Sequence, residues 1–125
     1  MNRELYSAAA SLAGESRAGY LPEPYRIAGA DALPLPPHSK AVYVAVDGTG
    51  VVRYVGSVCR PRATGLRERI AEHVRLWWKE RHWTHVWVIP LRDQTAPEDV
   101  KFIEGRIGRR LQPADTRRLP GGRGR

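Results

Sequence analysis

Side chains that can carry chemistry stand at regular spacing in the middle of this 125-residue chain. Tyr43 and Tyr54 lie eleven residues apart in two apolar segments. Arg69 precedes His73 by one helical turn, and Glu104 interrupts an apolar pattern further along the chain. Phenol and imidazole groups exchange protons, a guanidinium binds anions through a planar fork, and a carboxylate accepts a cation. Whether these groups form one site depends on the elements that carry them.

The two tyrosines lie in a predicted β-hairpin. Residues 41–46 and 51–57 are strand-like, and residues 47–50 between them are typical of a turn. If the strands pair outward from the residues that flank this turn, Tyr43 stands directly opposite Tyr54, with Cβ atoms about 4.5–5.5 Å apart on one face. Aromatic cross-strand pairs commonly stabilise sheets, so the pair by itself favours a structural role.

Residues 66–78 predict an amphipathic helix. His73 falls within its apolar stripe and Arg69 lies at the border of that stripe. The i, i+4 spacing lets both side chains point at one spot. A histidine on an apolar face is more often a core residue, but an arginine one turn before it weakens that interpretation. The stripe consists of Leu66, Ile70, His73, Val74 and Trp77.

A buried strand over residues 84–91 and a helix over residues 97–111 follow. Thr95 to Glu98 is typical of a capping box, with Pro97 near the first helical position. Glu104 projects into the apolar stripe of this helix. Burying a carboxylate is costly unless a cation compensates. Glu104 therefore either forms a salt bridge with an arginine or binds a metal ion.

These elements predict an α+β domain over residues 40–116, with a small three-stranded antiparallel sheet flanked by helices. Residues 1–39 predict a short helix followed by a proline-rich arm, and residues 117–125 a basic, flexible tail. The predicted strands are 41–46, 51–57 and 84–91, and the predicted helices are 66–78 and 97–111.

Charge favours an anionic partner. The chain has 21 Lys and Arg against 13 Asp and Glu, a net charge of +8, and residues 105–125 alone carry +6. The hydrophobic share of 42% is enough for a packed core. Cys59 is the single cysteine, which excludes an intramolecular disulfide, and no apolar run is long enough to span a membrane. We expect a cytoplasmic protein.

The constellation resembles the GIY-YIG nuclease family. Residues 41–43, Ala-Val-Tyr, resemble its first signature, and residues 54–56, Tyr-Val-Gly, its second. Arg69 and His73 match the arginine and the histidine or tyrosine of its helix motif. Glu104, nine residues before a proline, matches its metal-binding glutamate.

The resemblance covers roughly residues 40–116 and has two departures. Ala41 stands where the family has its leading glycine. The segment after Pro113 contains Asp115 and Thr116, where the family usually has an asparagine.

The resemblance implies a metal-dependent endonuclease that hydrolyses phosphodiester bonds in DNA, including single-stranded or structured DNA. It implies that Tyr43 is the general base or orients the water, that Arg69 clamps the phosphate, and that His73 relays a proton. Tyr54 would hydrogen-bond the phosphate or water. Glu104 would hold Mg²⁺ or Mn²⁺.

Further contacts to DNA are expected from residues around the predicted site and towards the C-terminus. We expect a monomer or homodimer without a membrane partner. His82 and His85 are weak zinc candidates because no cysteine pair accompanies them, and Trp83 could stack on a base. The predicted DNA contacts are Gly56, Arg60, Arg62, Trp78, Arg109, Arg110, Arg117 and Arg118.

Two alternatives remain open. The chain could be a nucleic-acid-binding module that keeps the fold but has lost turnover, since the family's asparagine is absent. It could also be a protein-interaction subunit whose proline-rich arm docks a partner. Metal-dependent DNA cleavage would favour the nuclease, and loss of partner binding on deletion of residues 1–39 would favour the interaction subunit.

Overall fold

The structure, a computed structural model, describes residues 1–27 and 35–114, and over residues 74–81 the backbone alone. It has the predicted α+β class, with helices packed on both faces of one antiparallel sheet. In chain order the described elements are α1 (Arg3–Ser11), β1 (Tyr25–Arg26), β2 (Lys40–Val46), β3 (Val52–Cys59), α2 (Gly65–Arg81), β4 (His85–Pro90) and α3 (Pro97–Leu111).

Among the described residues the sheet has four strands, in the order β1-β4-β2-β3, and every neighbouring pair is antiparallel. The predicted three-stranded sheet is therefore one strand short. The additional strand β1 has two residues, with Tyr25 opposite Val86. So short a strand, in a proline-rich segment, has no alternation that a sequence pattern could reveal. The predicted strands are found as β2, β3 and β4, and β3 forms one edge of the sheet.

The register of the hairpin differs from the prediction by two residues. Tyr43 lies opposite Gly56, and Tyr54 lies opposite Ala45. The expected direct pairing of the two tyrosines is therefore wrong. They are diagonal neighbours on the same face of the sheet, with ring centroids 6.3 Å apart.

The turn causes this shift. The amide N–H of Asp47 donates to the carbonyl of Val51, and the Asp47 side chain accepts hydrogen bonds from the amides of Thr49 and Val51 at 2.9 and 3.1 Å. Gly50 has a φ of 85°, a conformation that favours glycine. The loop is longer than the predicted turn, and a β-bulge at Ala45 follows it, so the strands pair two residues further along.

Alternation along β2 divides the core into two clusters. Tyr43 faces α2, together with Tyr54 from β3 and Leu66 and Ile70 from the helix. The intervening residues of the sheet face α1 and α3 on the other side. The predicted apolar faces of both long helices are confirmed in the described residues, and the sheet stands between them.

Helix α3 has the predicted bounds, but its N-terminus differs from the prediction. Pro97 occupies the first turn as expected, whereas Ala96 is the N-cap and no side chain caps the helix. The predicted capping box is therefore wrong. Thr95 precedes the N-cap and is buried, so its hydroxyl is one residue too early to meet the first turn. Helix α2 extends three residues beyond the predicted end, to Arg81, and His82 follows with a φ of 55°.

The N-terminal helix belongs to the same core. Tyr6, Ala9 and Ala10 are buried against the α3 side of the sheet. The Tyr6 hydroxyl donates to the carbonyl of Val88 at 2.6 Å and accepts from the amide of Leu21 at 3.1 Å. Deleting residues 1–39 would therefore remove part of the core, which rules out that deletion as a test of the interaction-subunit hypothesis. No helix among the described residues combines the length and apolarity needed to cross a bilayer.

Candidate active site

Three of the predicted site residues meet around one phenol oxygen. The Tyr43 hydroxyl lies 3.2 Å from Nε2 of His73, and the Arg69 guanidinium is close enough for its positive charge to lower the pKa of the phenol. The His73 ring stands edge-on to Tyr43, with centroids 5.9 Å apart, and lies 5.4 Å from the ring of Tyr54. Tyr43 belongs to strand β2, and Arg69 and His73 belong to helix α2, one turn apart, as their i, i+4 spacing predicted.

Gly56 makes this approach possible. A Cβ at position 56 would lie 2.5 Å from the Tyr43 oxygen and 2.8 Å from Cε2 of Tyr54. Those separations are far inside van der Waals contact, so no larger residue fits. Gly56 was predicted to contact DNA, but it is buried beneath the tyrosines. Its role in the structure is to leave space.

The Tyr43 hydroxyl is protonated at neutral pH. Burial raises the pKa of Tyr43 far above its ordinary value near 10, and the nearby Tyr54 and Glu104 raise it further. The positive charge of Arg69 lowers it by less than burial raises it. A general base at this position would need cations to bring the pKa towards neutrality, and one cation does not offset complete burial.

Trp83 covers the cluster. Its ring stacks on Tyr54, with centroids 5.4 Å apart and an interplanar angle of 26°, and on His73, at 5.7 Å and 21°. Trp83 is partly buried. Its predicted availability for a base is thus reduced, because it already packs against two site residues.

Glu104 lies at the same edge strand but on the other face of the sheet. It is 3% exposed, and its Oε1 accepts a hydrogen bond from the Ser57 hydroxyl and lies 3.5 Å from the ammonium of Lys101. Ser57 directly follows Gly56 in β3 and therefore points to the opposite face. The predicted burial of Glu104 is confirmed. Its cationic partner among the described residues is a lysine of its own helix rather than an arginine.

The oxygen donors near Glu104 suit a metal ion that takes few ligands from the protein. Among the described residues, no group of three His, Cys, Asp or Glu side chains is placed to hold a metal ion. One carboxylate oxygen and one hydroxyl do not form a cage. They are compatible with Mg²⁺, which usually retains several waters and takes phosphate oxygens as ligands. The same result leaves the weak zinc hypothesis for His82 and His85 without support in the described part of the chain.

Three arginines of the α2 side, Arg60, Arg62 and Arg69, are paired with carboxylates. Arg60 donates to both oxygens of Glu72, at 3.0 and 3.1 Å, and Arg62 donates to both oxygens of Glu68 at the same distances. Arg69 lies 3.7 Å from Glu72. These pairs reduce the positive charge that the predicted DNA contacts Arg60 and Arg62 would offer.

The remaining predicted contacts divide into two groups. Arg109 and Arg110 are exposed on the last turn of α3. Trp78 lies where only the backbone is described, and Asp115, Thr116, Arg117 and Arg118 lie outside the described residues.

Two residues beside Glu104, Ser57 and Lys101, were missed by sequence reasoning. Ser57 is a polar residue on the strand face that otherwise carries Val55, and Glu104 is a polar residue within an apolar helix stripe. Each irregularity was visible by itself. Because two polar groups that enter one core usually satisfy each other, their pairing could have been inferred. Nothing in the sequence singled out Lys101.

We compared the chain with known proteins. No protein-family model matches the chain, and no match was found among curated proteins or solved structures.

Proposed function

We propose that this protein is a metal-dependent endonuclease of the GIY-YIG type that hydrolyses phosphodiester bonds in DNA. The observation that carries the proposal is a cluster of residues from three elements on the α2 face of the sheet, with Glu104 of a fourth element on the other face of the edge strand β3. Tyr43 and His73 share a hydrogen bond, the positive charge of Arg69 acts on the Tyr43 hydroxyl, and Tyr54 packs against His73. Glu104 is near enough for its charge to raise the pKa of Tyr43.

In the proposed reaction, Arg69 binds the non-bridging phosphate oxygens through its planar fork and exchanges its contact with Glu72 for the substrate. Because burial keeps Tyr43 protonated, we assign it the water-orienting role rather than that of a free base. Trp83, which covers the cluster, would have to move to admit the attacking water. The water would then pass a proton to the Tyr43 oxygen while the Tyr43 proton moves to Nε2 of His73, across the 3.2 Å hydrogen bond. Tyr54 orients the phosphate or water.

Glu104 is the residue that would hold the divalent ion, with Ser57 fixing the orientation of its carboxylate. Bound Mg²⁺ or Mn²⁺ supplies positive charge for the phosphate and the leaving oxygen. The ammonium group of Lys101 lies 3.5 Å from Oε1 of Glu104, where it partly neutralises the carboxylate. The Lys101 side chain is 61% exposed, so it can turn towards solvent when another cation binds Glu104.

The test is a cleavage assay with the full chain. Supercoiled plasmid, single-stranded and branched oligonucleotides are incubated with Mg²⁺, Mn²⁺ or EDTA. We expect cleavage only with metal, and a loss of at least about 100-fold in rate for Glu104→Gln and Arg69→Ala. Matched controls are Glu98→Gln, an exposed carboxylate of the same helix, and Arg3→Ala, an exposed arginine of α1. Cleavage in EDTA, or full activity of Glu104→Gln, would overturn the proposal.

One observation favours a second candidate, a nucleic-acid-binding module without turnover. Tyr43 has no exposed surface, and Trp83 stacks over its neighbours, so water does not reach the phenol oxygen in this arrangement. The same panel separates the candidates. A binding module retains salt-sensitive DNA binding in EDTA, yields no products with any metal, and binds equally well as Glu104→Gln.

A further inference from the structure

The outer face of α3 carries an exposed aromatic ring among exposed arginines. Phe102 is 61% exposed, and the Arg106 guanidinium lies 5.7 Å from the centre of its ring. Arg109 and Arg110 are exposed one turn further on. We name Phe102, Arg106, Arg109 and Arg110 the α3 basic stripe.

The arginines of the stripe have no carboxylate partner among the described residues. The two acidic residues near the start of the helix, Glu98 and Asp99, lie in the first turn, where they interact favourably with the helix dipole. The positive charge of the stripe is therefore available to a ligand. Phe102 stands at the start of this stripe, and although the guanidinium of Arg106 lies over its ring, 61% of the residue stays exposed to solvent.

We propose that the α3 basic stripe binds the single-stranded part of a nucleic acid, with one unpaired base stacked on Phe102 and neighbouring phosphates on the arginines. The proposal deepens the proposed function and rests on it for the choice of polymer. Arginines and an aromatic ring are the combination that single-stranded nucleic acid recognises, because every base has a face that stacks. A base inside a duplex is already stacked on both sides and does not reach a ring on the outside of a helix.

The geometry of the stripe limits its footprint. From Phe102 to Arg109 the helix rises about 10 Å, at about 1.5 Å per residue. This length corresponds to about three stacked nucleotide steps of about 3.4 Å. The Arg109 guanidinium lies back along the helix, with Nη1 3.6 Å from the position of a Cβ on Gly105, towards the level of Phe102. Lys101, beside Phe102 in the chain, contacts Glu104, which lies on the buried face of the same helix.

Binding in EDTA tests the proposal without cleavage. Fluorescence anisotropy is measured for the full chain with an oligothymidine of about 12 nucleotides and with a duplex of equal length. We expect Phe102→Ala to weaken oligothymidine binding about tenfold and duplex binding less than about twofold, with Phe102→Trp restoring the affinity. Arg109→Gln should weaken binding to both oligonucleotides. It should also reduce the slope of log affinity against log salt concentration by about one. Arg3→Gln, which removes an exposed arginine of α1 that pairs with Glu23, is the control and should change binding to neither oligonucleotide.

Several results would overturn the proposal. These are unchanged oligothymidine binding by Phe102→Ala, an equal loss on the duplex, and displacement of oligothymidine by polyglutamate at equal charge. The substituted side chains are exposed, so circular dichroism melts are expected to match the wild type. Cleavage on the same proteins with Mg²⁺ separates the two hypotheses. Intact cleavage with no Phe102 effect rejects the stripe alone, whereas the Phe102 effect without cleavage rejects the nuclease alone.

Discussion

Arginines on the two sides of the sheet differ in whether carboxylates accompany them. On the α2 side, Arg60, Arg62 and Arg69 are each within reach of Glu68 or Glu72. On the α3 side, the stripe arginines have no acidic partner among the described residues. Sequence reasoning treated Arg60, Arg62, Arg109 and Arg110 alike, from charge alone. Positive charge therefore indicates a binding surface only after the carboxylates that neutralise it in the fold have been identified.

The largest expected effect is on stability, at the α2 side. Gly56→Ala should lower the free energy of unfolding by about 2–3 kcal/mol, because the added Cβ would lie 2.5 Å from the oxygen of the fully buried Tyr43. Urea denaturation followed by circular dichroism measures this. Gly48→Ala is the control, since its Cβ would meet nothing closer than 3.8 Å. A loss no larger than that of the control would mean that the tyrosine cluster is loosely packed.

The second effect is the alkaline stability of the same cluster. The folded pKa of Tyr43 is raised above its unfolded value near 10, so the folded state retains a proton that the unfolded state releases. This stabilising contribution is complete below about pH 10 and is lost at about 1.4 kcal/mol per pH unit above it. Unfolding free energies from pH 8 to 11 should therefore fall less steeply for Tyr43→Phe than for the wild type. Parallel curves would contradict the burial of this hydroxyl.

A crossed pair of substitutions tests the comparison directly. Arg60→Gln should cost about 0.5–1 kcal/mol of stability, because it breaks a two-point, half-exposed pair with Glu72, and should leave oligothymidine binding within about twofold. Arg109→Gln should do the reverse, with unchanged stability and about threefold weaker binding. Urea denaturation measures the stability of both variants, and fluorescence anisotropy measures their binding to oligothymidine. If both weaken binding equally, the distinction between paired and unpaired arginines is wrong.

The smallest effect is expected from removing residues 117–125, which lie outside the described residues and contain four arginines. We expect no change in unfolding free energy beyond about 0.5 kcal/mol. The slope of log affinity for single-stranded DNA against log salt concentration should decrease by about 0.7 for each phosphate that these arginines neutralise in the wild type. Cleavage rates at saturating DNA should not change. Disappearance of the Phe102 effect in this variant would show that the stripe needs the tail in order to bind.

The sequence predicted the helices and strands better than it predicted which residues pair between them. Helical and strand periodicity predicted β2, β3, β4, α2 and α3 to within a few residues, because burial repeats along each element. The two-residue strand β1 and the length of the hairpin turn were missed, since both depend on contacts between distant or looping segments. The Asp47 turn and the β-bulge beside it each moved the register by one residue, and with them the partner of Tyr43 changed from Tyr54 to Gly56.

The sequence by itself determined which residues intrude on an otherwise apolar pattern: His73 on α2 and Glu104 on α3. It did so because a polar group at a core position is costly and therefore stands out. Only the tertiary structure decided what each of them meets. Tyr43 is hydrogen-bonded to His73 beside the charge of Arg69, and Glu104 is hydrogen-bonded to Ser57 on the other face of the sheet. These pairings depend on strand register and on how the two helices pack against β3, neither of which can be inferred from local spacing.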